Sequence, residues 1–576
     1  MYYICQSVTF LFLEAFIMEK KPALPLVQSR EVTPGNYGLY DYFLTNSKQY
    51  GDYVLFGHYG KDHYISEFIA DIETLAAYYS LELGLKRGDV YTIFMPTNAE
   101  SLIILMALNK IGVIVNFVHP LLPPENLKEI MEFTKSKGIV VLDMFAAKYA
   151  EAIADEGVPC LVCVPTTYAV PDKLAAKANE QAMAVVAAKI KNYKTYPQVL
   201  AEYKDKRVDT VTENKDDIAL YMNGGGTTGN SRTIKLTNDA VNRVVYALGA
   251  GNTIVENIGI DTEICCMPFF HAFGLCAGGL NVLHKGAKAV FMPKFEADKF
   301  IQNMKTNRVV EFNGVPNMYK KLLADPEFDG PHLKSVKVMF SGGDDVRPAF
   351  VKEFEKVMKK NGSDATICAG YGLTECCAIC TTNPPWINKL GTIGKPLQGL
   401  TVQVWDENNK PVPTGTTGQL VMHGPTIMQG YLTEDGPIDE GLYKDEDGKK
   451  WVLSGDLGYF DEEGYVHFVG RCKRVIIISG YNVYPGDIEK LLTELDFINE
   501  SCAVQGYLDG KPIVRLFVVK KYDIDEEEAK EKIISLCSER LSKYNIPKEI
   551  KFINALPRTR LEKVDFMALT EKCPEK

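Results

Sequence analysis

Between Ala219 and Asp239 the chain reads ALYMNGGGTTGNSRTIKLTND, which sets Gly224, Gly225, Gly226 and Gly229 around Thr227 and Thr228. An apolar run, Ile218 to Met222, leads into it. Glycine permits the φ values and the close approach with which several backbone N–H groups of one turn can point at one anion. The two threonine hydroxyls add donors. The spacing is not G-x-x-x-x-G-K-[ST], which excludes a P-loop NTPase. Nor is it G-x-G-x-x-G opening a helix, so a dinucleotide site has little support. From the residues alone the stretch is either a phosphate-gripping loop or a flexible surface turn.

Three other groups carry chemistry-bearing side chains. His271 sits among Phe269, Phe270 and Phe273, and a lone histidine among aromatics is more often a packed core residue than a catalyst. The basic runs Arg471-Cys472-Lys473-Arg474 and Arg558-Thr559-Arg560 stand out in a chain of formal net charge -10. That charge argues against a nucleic-acid surface and requires any anion site to be built locally. The 14 cysteines include two C-x-x-C pairs, Cys160 with Cys163 and Cys377 with Cys380. Pairs so far apart read as buried thiols of a reduced protein rather than as a zinc site.

The elements that must position these groups alternate. ISEFIADIETLAAYYSLELGL has helical spacing, DVYTIFM reads as a short apolar strand, and AESLIILMALNKIG as a buried helix. VIVNFVHP and GIVVLD are further strands around the helical ENLKEIMEFTKSK, and the alternation resumes at AVFMPKF and SVKVMFSGGD. Strand, helix and strand at this interval predict a parallel sheet with crossover helices. The Ala- and Lys-rich piece from Asp172 to Lys206 is predicted helical and exposed. After Leu397 the texture changes to short alternating strands joined by Gly, Pro and Asn turns. From about Val475, CAVQGYLDGKPIVRLFVV and EEEAKEKIISLCSERL predict a small α+β unit. With 576 residues, one core cannot hold the chain. The N-terminal run to Ile17 lacks a basic n-region and is too short to span a bilayer. Residues 1–17 are read as an upstream mis-start or a surface helix.

Several stretches, in order, resemble one superfamily: the acyl-adenylate-forming enzymes, which include acyl-CoA synthetases, luciferases and nonribosomal adenylation domains. The loop is similar to the family's Y-[TS]-S-G-T-T-G-x-P-K-G-x-x-x-[ST]-H through Tyr221, Gly226, Thr227, Thr228, Gly229, Leu236 and Thr237. Ser231 stands for the proline, Arg232 for the lysine, Thr233 for a glycine and Asn238 for the histidine. CAGYGLTE resembles Y-G-x-T-E, VLSGDLGYFDEEGYVHFVGRCKRVIIISGYNVYPGDIE the T-G-D and G-R-x-K-D blocks, and ALPRTRLEK the closing L-P-[RK]-T-x-x-G-K. MPFFHAFGL and SGGDDV match intermediate blocks. The likeness covers nearly all the chain after about Tyr64.

The resemblance implies an α/β fold: a large N-terminal domain of parallel sheets with flanking helices, a small β-barrel-like subdomain, and a small mobile α+β C-terminal domain. Its boundaries would be 18–470 (with 398–470 β-rich), a hinge at 471–474, and 475–576. It implies an ATP-dependent, AMP-forming acid–CoA ligase using ATP, Mg²⁺ and CoA. Lys563 would bridge the attacking carboxylate and the α-phosphate, offsetting their repulsion most in the transition state. Gly225, Gly226, Thr227, Thr228 and Gly229, with the guanidinium fork of Arg232, would hold the β- and γ-phosphates. Asp456 would accept from both ribose hydroxyls and Arg471 would contact ribose or phosphate. Tyr371 would stack on adenine opposite Gly342, Gly343 and Asp344, with Gly370, Gly372 and Thr374 also at the nucleotide. Glu375 and Thr227 would hold Mg²⁺, a hard cation preferring oxygen ligands. His271 would wall the acyl pocket near the carboxylate. Lys473 would be the hinge, and Ser479 and Gly480 would face the thiol. Glu562, where the family usually has glycine, and Ile477, where it often has lysine, depart from the pattern.

The stretches FFHAFG, EFNGVPNMY and AGYGLT are apolar, aromatic and glycine-bearing, with no acid suited to an amino-acid ammonium. A fatty or aromatic monocarboxylic acid is therefore expected over an amino acid. A separate carrier-protein thiol remains an alternative acceptor, and a nucleotide-binding protein with decayed catalysis an alternative of another class. The expectation is a cytoplasmic protein without an integral membrane segment.

Overall fold

The computed structural model describes residues 33–571 except 59–60, 147–148, 156–157, 164–186, 188–189, 213, 225–231, 253, 435, 479–480, 509 and 559–563. Two large sheets dominate it. The first has eight strands in the order Gly430–Tyr431, Arg232–Thr237, Ile218–Gly224, Ile114–Phe117, Val90–Phe94, Ser136–Leu142, Cys160–Cys163 and Tyr193–Thr195. From Ile218–Gly224 to Tyr193–Thr195 every pairing is parallel. The other two strands are antiparallel additions at one edge. The second sheet has nine strands. Its parallel centre runs through Ile367–Tyr371, Val338–Ser341, Arg308–Gly314, Asp261–Cys265, Lys288–Phe291 and Val54–His58.

One core joins the two sheets. Leu55, Phe56 and Phe291 of the nine-stranded sheet share a buried cluster with Val115, Phe117 and Leu220 of the eight-stranded one. Helix Ala99–Lys110 contributes to it, and all 12 of its residues are buried. A helix apolar all round belongs inside, and this one is started by Asn98, whose Oδ1 accepts from Ser101 N at 3.0 Å. The same region holds charge. Lys285 Nζ lies 2.8 Å from both Glu263 Oε2 and Glu311 Oε2, all three side chains being buried. Asn313 donates to Glu263 Oε1 at 2.9 Å. Burial and the neighbouring Glu311 push the Glu263 carboxyl up to about 8, against the pull of Lys285. A buried ammonium with two carboxyls is balanced when one carboxyl keeps its proton.

The β-rich stretch forms a five-stranded antiparallel sheet of Thr401–Trp405, Gly418–His423, Lys450–Phe460, Tyr443–Lys444 and Val466–Arg471. The C-terminal part has its own core. Hairpin Ile498–Leu508 and Lys511–Lys520, extended in parallel by Glu549–Phe552, packs with helices Pro485–Leu492 and Glu526–Arg540 through Ile488, Leu492, Val514, Leu516 and Ile533. The mixed α/β expectation is met.

Part of the expected exposed helix from Asp172 to Lys206 reads differently. Tyr193–Thr195 is a strand on the sheet edge, and helix Tyr196–Tyr203 buries Tyr196, Val199 and Tyr203. The aromatic residues, not the lysines, decide its placement. The cysteine pairs are buried thiols. Cys377 Sγ lies 3.9 Å from Cys276 Sγ, and among the described residues no three metal-ligating side chains converge.

Candidate active site

Two parallel strands end side by side and start the site. Ser341 pairs with Ala369, so Gly342 and Gly370 follow as neighbours. A Cβ on Gly342 would stand 3.3 Å from the Gly370 carbonyl oxygen, and Gly343 turns away at φ +79°. Asp344 follows, its Oδ1 accepting from Asp345 N at 2.8 Å. The carboxyl ends of parallel strands are where α/β sheets leave a crevice for ligands. After Tyr371 the chain folds tightly. A Cβ on Gly372 would be 1.7 Å from the Ala378 carbonyl oxygen, so only glycine fits. Thr374 and Glu375 lie in the short 3₁₀ helix Thr374–Cys376, which Cys377 (φ +58°) and Ala378 (φ +97°) close. Left-handed backbone at two successive non-glycine residues is costly and marks a constrained turn.

The antiparallel sheet supplies the second wall. Asp456 and Arg471 are direct cross-strand partners. Arg471 Nη1 reaches Asp456 Oδ1 at 2.9 Å, with the Asp456 side chain 3% exposed and Arg471 52%. Tyr371 donates its phenol proton to Asp456 Oδ2 at 2.7 Å. Burial, and then the Asp456 charge, hold that phenol well above its ordinary pKa, so it stays a donor. The strand itself is pinned here: Gly455 N donates to Gln419 Oε1 at 3.0 Å and Asp456 N to Ser454 Oγ at 2.9 Å. Phe468 stands with its ring 6.1 Å from that of Tyr371.

A third group lies at the edge of the eight-stranded sheet. Arg232 opens its strand opposite Gly224, so the stretch 225–231 joins the two arms of an antiparallel hairpin. The Arg232 guanidinium lies 4.9 Å over the ring of Tyr431. Tyr431 Oη donates to Glu375 Oε1 at 2.9 Å. Arg232, Tyr431 and Glu375 are thus in contact, and Glu375 and Tyr371 belong to one turn. His271 is placed otherwise. Its ring packs 4.7 Å from Phe270, which in turn lies 4.2 Å from His119. Lys473 is exposed in the 3₁₀ turn Cys472–Arg474. The neighbouring Arg474 is the anchored one, paired with Glu489 and donating to the Ala503 carbonyl at 3.1 Å. Lys563, Gly225, Gly226, Thr227, Thr228, Gly229, Ser479 and Gly480 lie outside the described residues.

Tyr431, Phe468 and Gln419 were not singled out in the sequence. None belongs to a spacing that signals chemistry, and only the sheet pairings bring them to the site.

The AMP-binding enzyme family matches residues 44–432, and its C-terminal domain matches 487–563. The chain belongs to the AMP-binding enzyme family. It is 26% identical over 548 residues to a long-chain-fatty-acid–CoA ligase of Escherichia coli O6:H1, covering 93% of this chain and 94% of that one. It is 27% identical over 533 residues to the enzyme of the same name from Bacillus subtilis (strain 168), with 90% and 92% covered. Among solved structures, ATP-bound MatB from Rhodopseudomonas palustris superposes with a TM-score of 0.75 at 23% identity, over 93% of this chain and 98% of that one. A benzoate CoA ligase from Burkholderia xenovorans LB400 gives 0.73 at 19% identity, over 92% and 99%. At these identities the two structures speak for the fold.

Proposed function

We infer that the protein is an ATP-dependent, AMP-forming carboxylic acid–CoA ligase. It joins acid and ATP to acyl-AMP and pyrophosphate, then transfers the acyl group to CoA with release of AMP. The observation that carries this is the meeting of Tyr371, Asp456 and Arg471 in a member of the AMP-binding enzyme family whose full-length relatives are named CoA ligases. The relatives named for long-chain fatty acids support a fatty acid first, with an aromatic monocarboxylic acid as the other class that the apolar, aromatic stretches allow.

In this reading Asp456 takes the ribose. A carboxylate offers two acceptors to a vicinal diol, and burial in a strand held on both sides fixes its direction. Arg471, its charge half in solvent, contacts ribose or phosphate. Tyr371 flanks the adenine, with the glycine backbone of Gly342–Asp344 on the other side. Arg232 and the glycine loop take the β- and γ-phosphates. Lys563 would bridge the carboxylate and the α-phosphate, its charge acting most where negative charge concentrates in the transition state. The Glu375 carboxylate fits Mg²⁺: it is a hard oxygen ligand with one oxygen engaged by a neutral phenol and the other without a hydrogen-bond partner among the described residues. Mg²⁺ supplies charge neutralisation on the phosphates. For the second half-reaction Lys473 would serve as the hinge, and Ser479 and Gly480 would meet the thiol. The acceptor is CoA, with a carrier-protein thiol as the alternative that CoA-free assays with carrier would reveal. His271 borders the acyl pocket from its aromatic group. Free buried thiols support a reducing compartment, taken as the cytoplasm.

The test is a panel of fatty and aromatic acids with ATP and Mg²⁺. Acid-dependent exchange of pyrophosphate into ATP, and AMP release on adding CoA, are expected. ADP as product, or no nucleotide turnover with any acid, sinks the reading.

A further inference from the structure

Tyr431 touches two groups of opposite charge without belonging to either. Its Oη donates to Glu375 Oε1 at 2.9 Å, and its ring carries the Arg232 guanidinium at 4.9 Å. The tyrosine is itself held rigidly. Its two-residue strand pairs Tyr431 with Ile234, Leu432 N donates to Thr233 O at 2.8 Å, and Gln429 N donates to Lys235 O at 2.9 Å. On the other side Tyr431 N donates to Glu440 O at 2.9 Å. Two glycines permit the close packing of this segment. A Cβ on Gly441 (φ +82°) would meet the Tyr431 ring at 2.3 Å, and one on Gly430 (φ +139°) would meet Ile438 O at 2.6 Å. The same segment grips Glu375 a second time, through Met428 N to the Glu375 carbonyl at 2.7 Å. Glu375 is therefore fixed by backbone and by side chain from one short segment, Met428 to Tyr431.

We propose that Tyr431 is a positioning residue of the nucleotide site, spacing the Arg232 guanidinium from the Glu375 carboxylate so that a metal–triphosphate can engage both. It rests on the reading of Arg232 as the phosphate cation and Glu375 as the metal carboxylate. The physics is a competition. A guanidinium and a carboxylate free to approach form a bidentate pair, and each then spends its charge on the other. An aromatic ring offers the guanidinium a face and the carboxylate a hydroxyl edge, so both are attracted and neither reaches the other. With Oε1 occupied, Oε2 is the oxygen that would meet a cation. Oriented carboxylates of this kind lose metal affinity when their supporting partner is removed.

Titration calorimetry on the full chain tests this, with Mg·ATP, with ATP in EDTA, and with AMP. Tyr431→Phe keeps the ring against Gly441 and under Arg232, so its thermal midpoint should match the parent. Mg·ATP affinity should fall roughly tenfold, with ATP in EDTA and AMP nearly unchanged. Tyr431→Ala, which also removes the spacer, should weaken ATP with and without Mg²⁺. Combining Tyr431→Phe with Glu375→Gln should cost no more than Glu375→Gln alone, because the tyrosine acts through that carboxylate. If Glu375→Gln weakens Mg·ATP while Tyr431→Phe does not, or if the two losses add in full, the positioning role is wrong and the metal reading stands. If Glu375→Gln leaves Mg·ATP untouched, both are wrong.

Discussion

Arg471 stands directly across two antiparallel strands from Asp456, and the pair closes at 2.9 Å with Tyr371 on the other carboxylate oxygen at 2.7 Å. Both contacts are donors, so the carboxylate is aimed. Asp456→Asn keeps the shape and loses the charge and one acceptor. Hydrogen bonds to charged groups contribute roughly 1.5–3 kcal/mol each, so affinity for AMP and for ATP should both fall by about tenfold or more. Arg471→Ala, at a half-exposed position, should cost less. Calorimetric titration with both nucleotides checks this, and an Asp456→Asn variant that binds AMP like the parent would overturn the ribose assignment.

The buried Lys285–Glu263–Glu311 group predicts a pH-dependent stability defect. Lys285→Met leaves two carboxyls without a counter-charge. Removing one partner of a buried ion pair costs about 3–5 kcal/mol. Glu263, already raised by burial and by Glu311, then loses the lowering pull of Lys285, so its folded pKa stays above its unfolded one. Its contribution is fully present below the unfolded value of about 4.3 and is lost as pH rises through the folded value. The variant should therefore be closest to the parent near pH 5 and far weaker near pH 8. Urea unfolding at the two pH values reads this directly; an equal deficit at both would contradict it.

The parallel sheets were legible because continuous apolar strands and helical spacing alternate, as from Val90 to Leu142. The site was legible where glycine or a charge sits in a fixed block, as at Gly372, Asp456 and Arg471. Three features were not. That the strand entering the glycine loop returns antiparallel from Arg232 depends on an edge pairing with no local signal. Tyr431 is separated from Glu375 by 56 positions and enters through a strand of two residues. Glu263 and Glu311 look like the solvent side of their strands, since nothing in the sequence announces Lys285 as their partner. Tertiary placement, not propensity, decides all three.

Lys563→Ala separates the two half-reactions. Loss of the bridging charge should reduce acyl-adenylate formation by about 2–4 kcal/mol of transition-state stabilisation, by analogy with removing one oxyanion donor. Thioester formation from supplied acyl-AMP should change much less, since no anion then attacks the α-phosphate. Pyrophosphate exchange reads the first step and acyl-CoA release from acyl-AMP the second. Equal losses in both would contradict a lysine dedicated to adenylation.

The glycine loop makes the last prediction, because in the proposed reading it meets only the phosphate half of ATP. Gly224 and Arg232 face each other across the hairpin, and the Arg232 guanidinium lies over Tyr431, which holds Glu375. Gly226→Val places a β-branched side chain where a phosphate must approach and disfavours any positive φ there. Affinity for ATP should fall while affinity for AMP, which lacks the β- and γ-phosphates, stays nearly unchanged. Arg232→Lys should be mild, because a point charge still reaches phosphate, although it loses the stacked face on Tyr431; Arg232→Ala should be worse. Titration of each variant with ATP and with AMP decides between a phosphate cradle and a turn that merely shapes the sheet edge: in the second case Gly226→Val weakens both nucleotides alike.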